Sequence, residues 1–459
     1  MSGTRAFRVA TTSARVITGA LVAAACVAGT VLAVSAPLPT ISHEPAQADV
    51  TPLPGDTVLV CNGDFRAIGR DPMNSSEMVS AAAPRFTSGG TAGTPSSTPI
   101  TAEDLVGAGE VRRLVGEVQD RTAPLIAGSE SFTLAEDDLY GFAAAPCRPA
   151  GSESWLVGGS VETGAKDVIV LTNPGAVPST VSLSVFGTTR GSTSVIVPAG
   201  SQSALPLSSI ASGSEIPVVK VTATGAPVRA VLQSSLTRTL DPAGADLQDA
   251  VAAPQRHPVI PGVQVLQAPA DGSEMAVLRL MSPEVETEAV VTMREVGEST
   301  PATSLPVTLA ADQPTEISLA SVPVGEYVVD IEAESPVLAG VREQDGSGPQ
   351  TDFAWLLPAP EFDDDVVVAI PDGPAPRLVF ANDEDQDAVV EVGVPGGETS
   401  SVTVPAGSSV SIDVDPRTVY ALAPSGPVHA SVRMTAAGAL AGWPVWPEAG
   451  AQQTITVYP

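Results

Sequence analysis

The fold is decided by a stretch that the chain repeats, VIVLTNPGAVPSTVSLSVFG at residues 168–187. Similar stretches follow as AVLRLMSPEVETEAVVTMREVG at 276–297 and RLVFANDEDQDAVVEVGVPG at 377–396. Each copy then carries a turn resembling VPAG and closes with a paired strand signal, such as TATGAPVRAVL at 222–232. A period of about one hundred residues is too long for a solenoid unit and suits a whole domain. The sequence therefore predicts tandem domains.

Apolar and polar residues alternate within each copy, as in STVSLSVF at 179–186 and SSVSIDV at 408–414. Such alternation indicates strands with one buried and one solvated face. Turn signals separate the strands, and no convincing amphipathic helix interrupts them. The predicted class is all-β, with tandem immunoglobulin-like β-sandwich domains.

Pro-rich joints and changes in composition set the predicted boundaries. The segments are a cytoplasmic N-terminus at 1–15, a transmembrane or signal helix at 16–36, a Pro-rich spacer at 37–55, a small β-rich module at 56–150, and β-sandwich repeats at 152–253, 258–360 and 365–459.

The N-terminal segment predicts a membrane address. Arg5, Arg8 and Arg15 precede an uncharged, mostly apolar run at 16–36, which is long enough to cross a bilayer as a helix. Basic residues on this flank predict a single-pass protein whose C-terminal bulk is extracytoplasmic. Two alternatives stay open: a signal peptide cleaved after residue 36 or 48, which gives a secreted protein, and lipidation at Cys26.

The charge balance narrows the choice of partners. With 52 acidic against 22 basic residues, the net charge is −30, which repels phosphate backbones and argues against nucleic-acid binding. Aromatic residues make up only 4% of the chain, so its cores are expected to consist of Val, Leu, Ile and Ala.

Two of the three cysteines, Cys61 and Cys147, lie outside the apolar run and bracket the non-repeated segment. We expect them to pair as a disulfide in an oxidising compartment, and the alternative is two free thiols.

A resemblance to a known family rests on WLVGGS at 155–160, LTNPGAVPSTVSLSVFG at 171–187, the VPAG turn and the TATGAPVRAVL strand pair. These motifs resemble an actinobacterial family of secreted or anchored proteins, domain of unknown function 5719. The resemblance covers most of the chain, and Cys61 and Cys147 fit the family layout. It implies relatedness and fold, and it brings no catalytic residue, ligand or cofactor.

Residues able to carry catalysis are sparse. His43 lies in the spacer, His257 in a Pro-rich joint and His429 at a position predicted to be solvated, so all three are interpreted as ordinary surface residues. Neither HExxH nor GxSxG occurs. The sequence therefore predicts no enzyme and no cofactor. A Ser-His-Asp set assembled from distant loops is the competing hypothesis.

An acidic loop is a weak calcium candidate through alternate carboxylates at Asp383, Asp385 and Asp387. An EF-hand would need glycine and glutamate where Ala388 and Val394 stand. A solvated loop tip is the competing interpretation.

Tryptophans form the second weak candidate. Trp355, Trp443 and Trp446 each follow the last strand pair of a repeat. They are interpreted as packing that fills the seams between domains, with glycan contact as the alternative.

The leading functional hypothesis is a non-enzymatic cell-envelope protein of an actinobacterium, binding or scaffolding through its β-sandwich modules. Its expected partners are the membrane, through the N-terminal helix, and an envelope protein or cell-wall glycan. The alternative is a protein that binds or processes cell-wall carbohydrate.

Overall fold

The structure, a computed structural model, describes residues 4–35, 48–50, 54–74, 76–268, 274–447 and 455–457. The chain divides into two compact units, residues 1–52 with 453–459 and residues 53–452. His43 and most of the predicted spacer lie outside the described residues.

The first unit contains one long helix and one strand pair. Helix α1 (Thr4–Ser35) begins well before the predicted residue 16, and its apolar part, Ala14–Leu32, is long enough to cross a membrane. Strand β1 (Ala48–Val50) pairs antiparallel with β36 (Ile455–Val457). A strand that follows α1 in sequence therefore shares a small sheet with a strand near residue 459.

The second unit begins with nine strands, called here the N-terminal module. They are β2 (Thr57–Val60), β3 (Phe65–Ile68), β4 (Met78–Ala82), β5 (Arg85–Gly90), β6 (Ser96–Ala102), β7 (Leu105–Val106), β8 (Val111–Gly116), β9 (Ile126–Glu136) and β10 (Leu139–Pro146).

The first repeat adds eight strands and one short helical turn. They are β11 (Glu153–Leu156), β12 (Val168–Asn173), β13 (Ser179–Phe186), β14 (Gly191–Val197), β15 (Ser201–Pro206), α2 (Ser208–Ala211), β16 (Val218–Gly225), β17 (Arg229–Arg238) and β18 (Asp241–Asp249).

The second repeat has eight strands. They are β19 (Val259–Val265), β20 (Ala276–Met281), β21 (Thr287–Glu295), β22 (Pro301–Leu309), β23 (Thr315–Ser318), β24 (Gly325–Ala333), β25 (Leu338–Gln344) and β26 (Phe353–Leu356).

The third repeat has nine. They are β27 (Glu361–Phe362), β28 (Val366–Ile370), β29 (Arg377–Asn382), β30 (Ala388–Gly393), β31 (Thr399–Val404), β32 (Ser408–Asp413), β33 (Thr418–Pro424), β34 (Val428–Ala436) and β35 (Ala439–Pro444).

Each repeat buries one apolar core between two sheets. In the second repeat the sheet β19-β24-β21-β22 and the sheet β23-β20-β25-β26 share a core that includes Val291, Ile331 and Leu278. The first and third repeats are built in the same way. The alternation predicted for 179–186 is confirmed, since Val181, Leu183 and Val185 are buried. The all-β prediction is confirmed, while the immunoglobulin-like topology and the domain boundaries stay predictions.

The N-terminal module is interleaved with two repeats. Strand β6 pairs in parallel with β15, which extends the sheet of the first repeat to seven strands. Phe132 and Leu134 pack against Leu247 of the first repeat, whereas Phe142 joins the core of the third. The module therefore bridges the first and third repeats. The module and these two repeats meet at a common junction.

Candidate functional site

The predicted disulfide is present between Cys61 and Cys147. It ties the end of β2 to the end of β10, and both cysteines are buried beside Leu59, Leu114 and Ile126. Cys26, on α1, is free and exposed.

Three of the four tryptophans are packed away from solvent. Trp155, Trp355 and Trp443 are each at most 4% exposed. Trp446 is half-buried, with the Arg148 guanidinium 3.5 Å from its ring centroid. Glycan contact by Trp355, Trp443 and Trp446 stays a prediction, and this packing leaves little ring surface on which a sugar could stack.

The carboxylates of the acidic loop engage different partners. Asp383 faces two histidines, Asp387 accepts a hydrogen bond from the Ala406 amide at 2.9 Å, and Asp385 is exposed. Among the described residues, no group of three or more His, Cys, Asp or Glu is placed to hold a metal ion. Calcium binding here stays a prediction that the geometry does not support.

A cluster that we call the histidine clasp joins the second and third repeats. Asp383 lies 3.3 Å from Nδ1 of His257 and 3.5 Å from Nε2 of His429. His257 Nε2 also lies 2.7 Å from Asp330, which pairs with Arg294 at 2.8 Å. Clasp residues therefore come from both sides of the seam.

The clasp alters the titration of its members. Hydrogen bonding to Asp330 raises the pKa of His257, and hydrogen bonding to His429 lowers the pKa of Asp383. The prediction that His429 lies at a solvated position is wrong, because it is only 5% exposed. Its strand is covered on the second face by the neighbouring repeat, which alternation within one strand cannot reveal.

A polar cavity of about 340 Å³ lies between the first and second repeats and is called here the seam cavity. Asp167, Glu162 and Glu215 line it from the first repeat. Arg279, Arg342, Glu274, Glu316, Phe353 and Trp355 line it from the second. Domain seams of this size, with aromatic walls and convergent polar groups, are common sites for small ligands.

Arg279 lines the seam cavity, and each of its side-chain nitrogens donates a hydrogen bond. It donates to Glu316 at 2.7 Å and to the carbonyls of Val157 and Gly159 at 3.0 Å each. The Trp355 ring lies 4.7 Å below its guanidinium, which adds a cation–π contact. Burial lowers the pKa of Arg279. The positive charge of Arg279 is therefore already paired within the wall of the cavity.

The WLVGGS motif shapes this wall. Gly159 adopts a φ of 93°, and a Cβ there would come within 2.7 Å of Leu207, so glycine is required. The turn lets the Ser160 amide donate to Asp167 at 2.7 Å. Asp167 is buried, and burial raises the pKa of its carboxyl to about 7.

A comparison with known protein families shows the family to which the chain belongs. A family described as Family of unknown function (DUF5719) matches residues 100–415, which is most of the chain. The chain belongs to this family. A search of curated proteins found no match. The range matched by the DUF5719 family contains every residue of the seam cavity and three members of the clasp, His257, Asp330 and Asp383.

Buried carboxylates at the common junction are functional candidates that the sequence reasoning missed. Asp352 accepts hydrogen bonds from the amides of Phe142, Ala245 and Leu440, at 2.8–2.9 Å. These amides belong to the N-terminal module, the first repeat and the third repeat. One side chain of the second repeat therefore fastens all the other modules. The signal in the sequence that could have identified Asp352 is its position, as an acidic residue immediately before the apolar strand FAWL.

Proposed function

We propose that the protein is a non-enzymatic scaffold or binding protein on the outer side of a cell membrane, held there by its N-terminal helix. The observation that carries this proposal is the junction at Asp352, which fastens the N-terminal module and the repeats into one body. Such a body presents several surfaces in fixed relation to one another, as a scaffold requires.

Two observations support the location. Helix α1 contains a span long enough for a bilayer, preceded by arginines, and positive flanks stay on the cytoplasmic side. The Cys61–Cys147 disulfide belongs in an oxidising compartment. The actinobacterial envelope is proposed from the resemblance described above.

Location is tested by labelling intact cells with a membrane-impermeant maleimide. Thr94→Cys, on an exposed loop, should be labelled in intact cells, and Ser2→Cys only after lysis. Labelling of Thr94→Cys only after lysis refutes the outer location. The intact mass of the mature protein separates an anchor from a cleaved signal peptide.

The scaffold role is tested by photo-crosslinking in intact cells. A crosslinker at exposed Ser194, on the edge strand β14, should yield a discrete adduct with a second envelope protein. The same crosslinker at Ser234, which is buried, serves as the control and should yield none. Equal yields at both sites, or none at either, count against the proposal.

Cell-wall carbohydrate binding is a second candidate because Trp443 and Trp446 line another cavity, of about 270 Å³, beside the disulfide. Full-length protein in detergent would be mixed with purified cell-wall sacculi and sedimented, with and without calcium. Saturable co-sedimentation that Trp446→Ala abolishes favours this candidate. Failure to sediment under both conditions favours the protein scaffold.

A further inference from the structure

We propose that the seam cavity binds a small zwitterion, whose carboxylate pairs with Arg342 and whose ammonium group lies among the acidic residues of the first repeat. An amino acid or a short peptide has this chemistry. The proposal goes beyond the scaffold role, since a small-molecule site could exist with or without a protein partner.

The argument begins with three equivalent positions in the three repeats. Gln233, Arg342 and Arg433 stand at the same place in their strands, opposite Val168, Val277 and Arg377. Each residue stands on the strand face that the neighbouring module covers. The repeats therefore provide an internal comparison of how such a side chain is normally satisfied.

Two of the three positions have a polar partner in a neighbouring module. Gln233 forms two hydrogen bonds with the backbone of Arg66, each 2.7 Å long. Arg433 is fully buried and pairs with Glu343. Arg342 has no side-chain hydrogen bond or ion pair with any described residue, and it lines the seam cavity instead. The missing partner of Arg342 is therefore expected to be an anion from outside the chain.

Neighbouring cations strengthen the case for an anion. Burial lowers the pKa of Arg238, and the charge of Arg342 lowers it further. Arg342 acts in the same direction on Arg279, whose own counter-ion is Glu316. A bound carboxylate offsets this repulsion, and guanidinium binds carboxylate well through paired, charge-assisted hydrogen bonds.

A simple anion does not match the rest of the cavity. Glu162, Glu215 and Glu274 line it, and none of the three forms an ion pair with a described residue. These carboxylates repel an anion and attract an ammonium group, whereas Arg342 repels a simple cation. A ligand with both charges satisfies both sides.

The apolar part of the cavity suits the carbon skeleton of such a ligand. Ile216 and Leu236 are partly exposed there, beside the buried rings of Phe353 and Trp355. The volume of about 340 Å³ lies near the lower end of the range for ligand sites. A single amino acid or dipeptide is therefore the expected size.

The test is calorimetric titration of the full-length protein in detergent with glycine and with L-alanyl-L-alanine. At least one should bind saturably, and the one that binds more tightly distinguishes a free amino acid from a peptide. Acetylation of the amine or amidation of the carboxylate should each weaken binding at least tenfold.

Matched variants locate the site. Arg342→Gln installs the residue that the first repeat carries at the same register, and it should weaken binding at least tenfold without lowering the thermal unfolding midpoint. Arg417→Gln, at a side chain 74% exposed elsewhere, should bind as the wild type does. The proposal is overturned if neither probe binds, if Arg342→Gln binds unchanged, or if an analogue with one charge binds equally well. These outcomes are independent of the crosslinking result, which tests the scaffold alone.

Discussion

Two buried asparagines hold the same hairpin in different repeats. Asn173 donates to the carbonyls of Val177 and Val197, and its side-chain oxygen accepts from the Gly175 amide. Asn382 makes the corresponding bonds in the third repeat. The second repeat has Ser282 there, which reaches Val285. The repeated loop is therefore conserved within the chain for turn geometry, whatever charges its tip carries.

We predict that Asn382→Ala lowers the free energy of unfolding by about 1–3 kcal/mol, because the carbonyls of Gln386 and Val404 lose their donor. Urea denaturation measures the change. Asp385→Ala, at the exposed tip of the same loop, is the control and should cost less than about 0.5 kcal/mol. Equal losses in the two variants would contradict the assigned role.

The turn residues were readable from the sequence, but several side-chain environments were not. The spacing of NPG and NDED revealed a repeated hairpin without alignment to any other protein. His429 was misplaced because alternation assigns one solvated face to each strand. Arg229, at the same register of the first repeat, is buried too, since β17 and β34 are each covered on both faces.

At the scale of elements, the histidine clasp couples the second and third repeats, and its charges set a pH window. The raised pKa of His257 gives stability that is complete below about pH 6.5 and is lost as pH rises through the folded value. The lowered pKa of Asp383 gives stability that is present above about pH 4 and is lost as pH falls. The clasp is therefore strongest between these limits.

We predict that Asp383→Asn costs about 1 kcal/mol at pH 5 and less at pH 8, because His257, whose pKa is raised, carries more positive charge at the lower pH. Chemical denaturation at both values measures the difference. Asp385→Asn, on the same loop, should show no pH-dependent loss. A penalty for Asp383→Asn that is the same at both pH values would show that charge pairing does not operate in the clasp.

The disulfide acts on two strand ends that are 86 residues apart in sequence. We predict that the double substitution of Cys61 and Cys147 by alanine lowers the free energy of unfolding by roughly 4 kcal/mol, since closure of a loop this long restricts the unfolded chain. Denaturation of the oxidised wild type and the variant measures it. Cys26→Ala is the matched control and should be neutral. A loss below about 1 kcal/mol would argue against this stabilisation.

At the scale of the whole molecule, buried carboxyl groups make the free energy of unfolding depend on pH. Burial raises the pKa of Glu130 and Asp167 to about 7, that of Asp246 to about 8 and that of Asp352 well above its usual range. Between about pH 4 and these values, the folded state holds protons that the unfolded state releases. Stability therefore decreases as pH rises through this window.

We predict that the protein is more stable at pH 5 than at pH 8, and that Asp246→Asn reduces this difference, because an amide no longer titrates. Free energies of unfolding from urea curves at intervals across the window measure the slope. Glu361→Gln, on an exposed side chain, should leave the slope unchanged. Stability that increases from pH 5 to pH 8 would contradict the prediction.

The sequence predicted the strands better than their assembly. Alternation and turn signals identified the three repeats because those signals are local. The parallel pairing of Thr101 with Ser201 and the reach of Asp352 into the other modules are contacts between distant segments, which no local pattern encodes. Arg342 could have been singled out from the sequence only by comparing the three repeats position by position.

The interleaving of the N-terminal module imposes an order of assembly on the chain. Strand β6 leaves the ribosome about a hundred residues before β15, and Phe142 emerges more than two hundred before most of the third-repeat core that it joins. The N-terminal module is therefore synthesised before the repeats, but its packing is completed only after they have been made. Until then its unpaired strand edges can pair with other copies, so its partially made state has to be shielded from them during synthesis.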